Sequence, residues 1–407
     1  MKMRKVMSVA LVAAMCATMC PITASAKDDN VTIEYWHTMA GVNGEAMETI
    51  VNDFNETVGK EKGITVKSVY QGDDVSEKLK TLAQANDTKN FPNVAQIVCS
   101  GIPSAINYEQ LVKVEDLYKE GQDITVAQED LDEHAVRAVS YDGEMIAMPF
   151  NASSILLYYN KTMFEEAGLD PENPPATIAE MADACSKLVE KDGDNVTRYG
   201  LNVAVRRYQF VNWIGGQGDY NFVGDNEGGR AGMMTKLTCD EDGTLDKFLT
   251  EWEKVIKSGG YKPTEDNINE EFAMQLFGMA VMSSARIGTI NSLVGDNFEW
   301  GTAPLPKVDA NDKGGTAIGG SCEAIFNKGD EDQVDASWIF TQYLASPEVQ
   351  AKFDSATGYL PVNAKTYDEE AMATYLEENL NYKVAVDQMN ASNPNVQEPF
   401  DIINWEM

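Results

Sequence analysis

An early change of hydrophobic period, from two residues to 3.6 and back, constrains this chain more than any other feature. Val31, Ile33 and Tyr35 alternate with more polar neighbours and predict a strand. Met47, Ile50, Val51 and Phe54 follow at i, i+3, i+4 and i+7, which puts all four on one helix face. Ile64, Val66 and Val69-Tyr70 restore the strand pattern. A strand–helix–strand unit of this kind implies a parallel pair joined by a right-handed crossover. Leu79 and Leu82 then suit a helix, and Val94–Cys99 a buried strand. A second region of the same type starts near Ile146. Ser154–Tyr159 reads as an apolar strand, Thr162–Ala167 as a short helix stopped by Gly168, and Asp170–Pro175 as a turn. Thr177 with Glu180 forms a capping box ahead of a helix whose apolar face is Met181, Ala184, Cys185 and Leu188. Further on, Phe272–Phe277 reads as helical, Ala280–Ser283 as extended and Ile318–Phe326 as a strand broken by glycines. Ala336, Ile339, Phe340 and Tyr343 mark another helix. Strands alternating with helices throughout predict an α/β protein. No long linker separates two contiguous domains, so a two-lobed body has to be built by the chain crossing between lobes.

Charge narrows the partners. The 407 residues carry 65 Asp+Glu against 32 Lys+Arg, a formal net charge of −33. A surface that tracks nucleic-acid phosphates needs clustered Lys and Arg, and no basic run occurs after residue 5. The same balance disfavours an anionic membrane surface. Two histidines exclude a His-rich metal centre.

The first 26 residues read as an export signal. Lys2, Arg4 and Lys5 precede an apolar stretch from Val6 to Met19, and Pro21 precedes the cleavage pattern Ala24-Ser25-Ala26. This places the mature protein at the extracellular face of the cytoplasmic membrane or in a periplasm. Tethering by lipid stays an open alternative. Cys16 and Cys20 are present, but Met15 and Met19 stand where a small residue should precede a lipidated cysteine. Cys99, Cys185, Cys239 and Cys322 show no C-x-x-C spacing, which argues against zinc, and their pairing is left undecided.

Catalytic motifs fail one by one. There is no G-x-S-x-G elbow and no P-loop. The glycines between Gly314 and Gly320 lack dinucleotide spacing. Asp309–Gly314 opens like a calcium loop but has Lys313 at its fifth position and Gly320 at its twelfth. No cofactor is implied. An exported glycosidase remains the alternative from another class, and it needs two carboxylates across a cleft. In so acidic a chain, choosing such a pair by eye has no weight. A surface adhesin is a third reading.

Four stretches together carry a resemblance. They are Ile33-Glu34-Tyr35-Trp36-His37-Thr38-Met39, the run from Met148 to Lys161 (MPFNASSILLYYNK), Ala167-Gly168-Leu169-Asp170-Pro171 with Pro174-Pro175-Ala176-Thr177, and Thr357-Gly358-Tyr359-Leu360-Pro361-Val362. With the export signal, their order and spacing over residues 30–370 resemble the extracellular solute-binding proteins of ABC importers, family 1, with the glycerol-3-phosphate-binding proteins as the nearest subgroup. The resemblance implies the two-lobed periplasmic-binding-protein-like fold (type II), each lobe a parallel-type sheet flanked by helices, with ligand in the cleft and a hinge between lobes. It implies chain crossings near 147–152, 301–305 and 355–360. Lobe one would hold 28–147 and 304–356, and lobe two 150–301 and 357–407, the latter shorter at its end than the family. It implies a monomer that takes a small-molecule sugar or glycerol-phosphate ligand and docks on a membrane permease.

Ligand candidates follow from the same resemblance and from chemistry. Trp36 could stack on a sugar ring and His37 could bond a hydroxyl, though Trp36 fits core packing equally well. Asp74 could accept bonds from vicinal hydroxyls or act as a helix N-cap. Ser153 matches a serine that lines the subgroup's cleft, and Trp213 falls where sugar binders place a stacking aromatic. Arg286 follows a strand and could fork onto a phosphate or a hydroxyl pair, or form an interlobe salt bridge. Gly319-Gly320 resembles a glycine pair whose backbone approaches ligand, and Tyr359 offers a hydroxyl at the third crossing. Arg206-Arg207 is a weaker phosphate candidate, with a surface pair as the competing reading. Three contacts of the glycerol-phosphate subgroup are missing: an early tyrosine near Asp74-Val75, a glutamate near Cys99 and a C-terminal arginine, since no arginine follows Arg286. A neutral sugar or oligosaccharide becomes the better expectation, with glycerol 3-phosphate or a glycerophosphodiester as the alternative.

Overall fold

The structure, a computed structural model, describes residues 30–400 apart from positions 122 and 233 and the side chain at 73. The export signal read over residues 1–26 and the last residues, 401–407, lie outside the described residues. Strand periodicity places β1 at Val31–His37, β2 at Ile64–Tyr70, β3 at Val94–Val98, β4 at Met148–Ser153 and β5 at Ile155–Asn160. It continues with β6 at Asn195–Asn202, β7 at Phe277–Ser283, β8 at Trp300–Pro304 and β9 at Gly319–Phe326. The helices that shape the site are α1 (Gly41–Glu56), α2 (Val75–Gln84), α3 (Ile178–Leu188) and α4 (Arg207–Gly215). Three more follow: α5 (Ile287–Val294), α6 (Pro347–Thr357) and α7 (Leu380–Ala391).

Two sheets form, and each is the core of one lobe. The first runs β2-β1-β3-β9, with β4 and the short strand Leu111–Val112 both on the far side of β9. The second runs from Tyr261–Lys262 through β6, β7 and β5 to β8. The β1–α1–β2 unit has the expected parallel register, Val31 opposite Ile64 through His37 opposite Tyr70. Met47, Ile50, Val51 and Phe54 are the buried face of α1. Thr177 and Glu180 close the capping box on α3. The sheets are mixed rather than parallel throughout. β9 is antiparallel to β3 and β4, and β5 is antiparallel to β7 and β8. The antiparallel members β5 and β9 are the strands that the chain enters on changing sheets, from β4 through Ser154 and from β8 through residues 305–318. A second difference concerns Phe272–Phe277. The helix there spans Ile268–Ala273, and Phe277 already opens β7. Gln275, at φ +59, turns the chain between them. Phe272 and Phe277 meet at 5.9 Å between ring centroids, so both apolar positions serve one core from two elements.

The chain passes between the sheets at three places. Only Ser154 separates β4 from β5. Residues 305–318 link β8 to β9. After α6 the chain returns through Leu360, whose amide donates to the Ala152 carbonyl at 2.7 Å. Helix α7 lies on β8, with Asn381 Oδ1 accepting from the Thr302 amide at 3.0 Å. Gln388 on α7 binds two of the passages. Its Oε1 accepts from Leu305 N at 2.7 Å, while its Nε2 donates to Ser154 Oγ at 2.6 Å and Ile155 O at 2.8 Å. Among the described residues no helix is long and apolar enough to cross a membrane. No disulfide joins Cys99, Cys185, Cys239 and Cys322.

Candidate functional site

The site forms where strand ends from both sheets meet the third passage. β4 ends at Ser153-Ser154, and the Ser154 backbone exchanges bonds with Ser284 at the end of β7: Ser284 N to Ser154 O at 2.7 Å, and Ser154 N to Ser284 Oγ at 3.2 Å. Gly358 packs over that junction. Its φ is +91, and a Cβ there would lie 2.5 Å from Ser284 O, so glycine is required both for conformation and for space. The turn brings Tyr359 beside Arg286, which closes the 3-10 turn after β7 and stands at the N-cap of α5. On the other side, Gly320 of β9 runs so close to β4 that a Cβ would fall 1.9 Å from Asn151 O.

These approaches enclose a cavity of about 480 Å³. Ser153, Gly319, Gly320, Arg286 and Tyr359 line it, together with Thr38, Asn43, Tyr208, Ser283, Thr289 and Ser321. Arg207 and Glu398 complete its charged lining. Thr38 sits at the C-terminal end of β1. Its amide and hydroxyl both donate to Oε1 of the buried Gln96, at 2.9 and 3.0 Å. Burial raises the Tyr359 phenol above its ordinary value, while Asn151 and the Arg286 guanidinium pull it down. Burial also raises the Tyr208 phenol, reinforced by the charge of Glu398. Arg286 is exposed, and among the described residues no carboxylate lies within ion-pair distance of it. Polar donors and acceptors from two sheets, with a cation left unmatched, suit a small hydrophilic solute.

Of the residues singled out from sequence, Ser153, Arg286, Gly319, Gly320, Tyr359 and Arg207 come together here. Trp36, His37, Asp74, Trp213 and Arg206 lie outside this lining. Trp36 is buried in the first lobe, where its Nε1 donates to Glu34 Oε1 at 2.5 Å. Both faces of the central strand β1 are covered, so an apolar residue on either face is buried. His37 is buried as well, stacked on Tyr35 at 5.6 Å and 3.4 Å from Glu48. Burial lowers its pKa against the pull of Glu48. Asp74 is the exposed residue before α2, and its side chain makes no cap bond. Trp213 is a core residue of the second lobe, stacked on Phe248 at 5.4 Å, with its Nε1 donating to Pro306 O at 2.9 Å. It borders a separate cavity of about 300 Å³ behind the second passage. Sequence reasoning ranked Arg207 low and passed over Tyr208 and Glu398. The structure separates the Arg206-Arg207 pair. Arg206 faces solvent and meets Glu265 at 3.5 Å, while Arg207 turns into the cavity.

Comparison with known proteins follows the same lines. A family model described as bacterial extracellular solute-binding protein matches residues 49–393. The sn-glycerol-3-phosphate-binding periplasmic protein UgpB of Brucella abortus is 27% identical over 396 residues, covering 92% of this chain and 87% of that protein. Its namesake in Agrobacterium fabrum is 25% identical over 393 residues, covering 92% and 86%. Among solved structures, UgpB from Mycobacterium tuberculosis in complex with glycerophosphocholine superimposes with a TM-score of 0.73 at 22% identity, over 89% of this chain and 87% of that one. The GacH receptor of Streptomyces glaucescens, solved unliganded and with acarbose, gives 0.72 at 20% identity, over 89% and 87%. At such identity the structural likeness speaks to the two-lobed α/β fold.

Proposed function

The chain belongs to the bacterial extracellular solute-binding protein family, and on that premise we propose that the cavity between its sheets captures a sugar or short oligosaccharide for delivery to the membrane permease of an ABC importer. One observation carries the reading: hydroxyls, amides and backbone from both lobes converge on one cavity at the strand ends, the place where α/β sheets bind ligands. A solute touching both walls favours the closed arrangement only by its greater affinity for that state. The bending points are Ser154, residues 305–318 and Gly358–Leu360. The closed form then docks on the permease as a monomer. Ser153, Tyr359, Arg286 and the Gly319-Gly320 backbone contact the solute. Relatives in this family are transport proteins, and the mature chain acts outside the cytoplasmic membrane.

Arg286 favours a second reading. An exposed, unmatched guanidinium is suited to a phosphate ester, so a glycerol-phosphate compound is the alternative ligand. The test is thermal unfolding against maltose, maltotriose, glycerol 3-phosphate and glycerophosphocholine, with product analysis. A raised Tm with the solute recovered intact supports capture. Released product would favour the glycosidase, and no shift with any solute would favour the adhesin.

A further inference from the structure

Two cysteines of the first lobe meet behind the cavity wall. The antiparallel register of β3 and β9 sets Cys322 opposite Ile97 and Ser321 opposite Val98. Side chains alternate along a strand, so Cys99, two residues after Ile97, emerges on the side of Cys322. A regular strand diagonal would hold such a pair too far apart for a disulfide. Cys99 departs from that geometry, because it opens a 3-10 turn, Cys99–Gly101, that packs back on β9. Both side chains pack into one core cluster. The Cys322 S–H donates to Ile97 O at 3.7 Å, which leaves its sulfur to accept from Cys99. Burial and the neighbouring Cys99 hold the Cys322 thiol well above its ordinary pKa, so it stays protonated. Cys322 is fully buried and Cys99 only partly, so a small reagent reaches Cys99 first.

We propose that Cys99 and Cys322 are an oxidisable pair that closes to a disulfide and braces the first-lobe wall of the cavity. Val98 and Ser321, the residues just before each cysteine, both line the cavity, so the bond ties together the two strands that carry them. It also fixes the turn whose Ser100 Oγ accepts from Arg207 of the second lobe at 3.1 Å. The oxidant is a peroxide. The Cys99 sulfur attacks one peroxide oxygen and the O–O bond breaks; that oxygen stays as the sulfenic acid, and the other leaves as water. The Cys322 sulfur then attacks the Cys99 sulfur, the S–O bond breaks, and the oxygen leaves as a second water with the Cys322 proton. Two thiols are oxidised and one peroxide is reduced. Members of this family are extracellular, where disulfides persist.

The test treats the folded chain, reduced and then freed of reductant, with a small excess of hydrogen peroxide. The remaining thiols are alkylated in denaturant and the peptides mapped by mass spectrometry. The expected product is about 2 Da lighter than the reduced chain, with one linked peptide pair that holds Cys99 and Cys322, while Cys185 and Cys239 are alkylated. Cys99→Ser and Cys322→Ser each abolish the link, and Cys185→Ser keeps it. Cys322 is a core residue, so Cys99→Ser decides the matter if Cys322→Ser does not fold. Reducing the closed form is expected to lower Tm by about 5 °C, because a cross-link between positions so distant in sequence restricts the unfolded chain. Cys99→Ser shows no such response to reductant. The proposal is overturned if every thiol still alkylates after peroxide, if Cys99 oxidises further without a link, or if the link joins other cysteines or two chains. It is overturned as well if the closed pair loses no Tm on reduction. Mass and Tm are independent of which solute the cavity takes, so a failure of solute capture is distinguished from a failure of the pair.

Discussion

The two walls of the cavity are built on opposite plans. The first-lobe wall is backbone and small buried side chains: Gly320 pressed against β4, Ser153 only 5% exposed, Thr38 fixed by Gln96. The second-lobe wall is long side chains rooted at helix starts, Arg207 and Tyr208 on α4 and Arg286 ahead of α5. The contrast teaches a division of labour. Close-packed backbone sets the shape of the space and tolerates almost no change. On the proposed function, the cations rooted at the helix starts select the charge of the solute, and the exposed Arg286 can change at little cost to the fold.

The largest effect is expected at the rigid wall. Gly320→Ala would place a Cβ 1.9 Å from Asn151 O at a φ of +123. A loss of ~3 kcal/mol in urea unfolding, with solute binding abolished, is the expected outcome. A variant as stable as its parent would erase the contrast. Behind the same wall, the Tyr35 hydroxyl donates to Glu323 Oε1 at 2.9 Å. Burial raises the Glu323 pKa to about 8, with the Tyr35 bond opposing. Between its ordinary 4.5 and about 8, the folded state holds a proton that the unfolded state has lost. Its contribution is therefore complete below 4.5, declines as pH rises through about 8 and is flat beyond. Glu323→Gln should remove that decline, a relative gain of ~4 kcal/mol at pH 9 over pH 5 by urea unfolding. An unchanged pH slope would break the assignment.

At the charged wall the signs reverse, with binding lost and stability kept. Arg286→Gln should weaken the captured solute about tenfold, ~1.4 kcal/mol, in calorimetric titration, with an unchanged urea midpoint. A matching loss of stability would show that this wall is structural too. The smallest effect is expected one layer further back. Trp213→Phe removes the indole bond to Pro306 and should cost ~1 kcal/mol of stability while leaving affinity within about twofold. A large loss of affinity would extend the binding surface to this tryptophan.

Legibility in the sequence followed the range of the interactions. The faces of α1 and α3 and the capping box at Thr177 depend on neighbours within one or two turns, and they read directly from spacing. Trp36 did not. Its role depends on β1 being central with both faces covered, which no local pattern records. Phe272 and Phe277 looked like one helix because both are core positions, and the turn at Gln275 depends on a left-handed conformation that glutamine does not advertise. Ser153, Gly320, Arg286 and Tyr359 were readable because each sits at a strand end or within a recognisable motif. Arg207 and Glu398 are 191 residues apart. In a chain with 65 acids, nothing local marks which one will meet a given arginine.

The amide of Gln388 has a mechanical consequence. It grips Leu305 with its oxygen and Ser154 and Ile155 with its nitrogen. Two strips of backbone that could flex separately are thereby splinted to one helix, and α7 itself is bolted to β8. On the proposed function, rotation of one half against the other would proceed about a common axle, with α7 travelling alongside the second half. A protein fastened this way would pivot as a single degree of freedom, and its open and shut forms would interconvert without a half-bent intermediate.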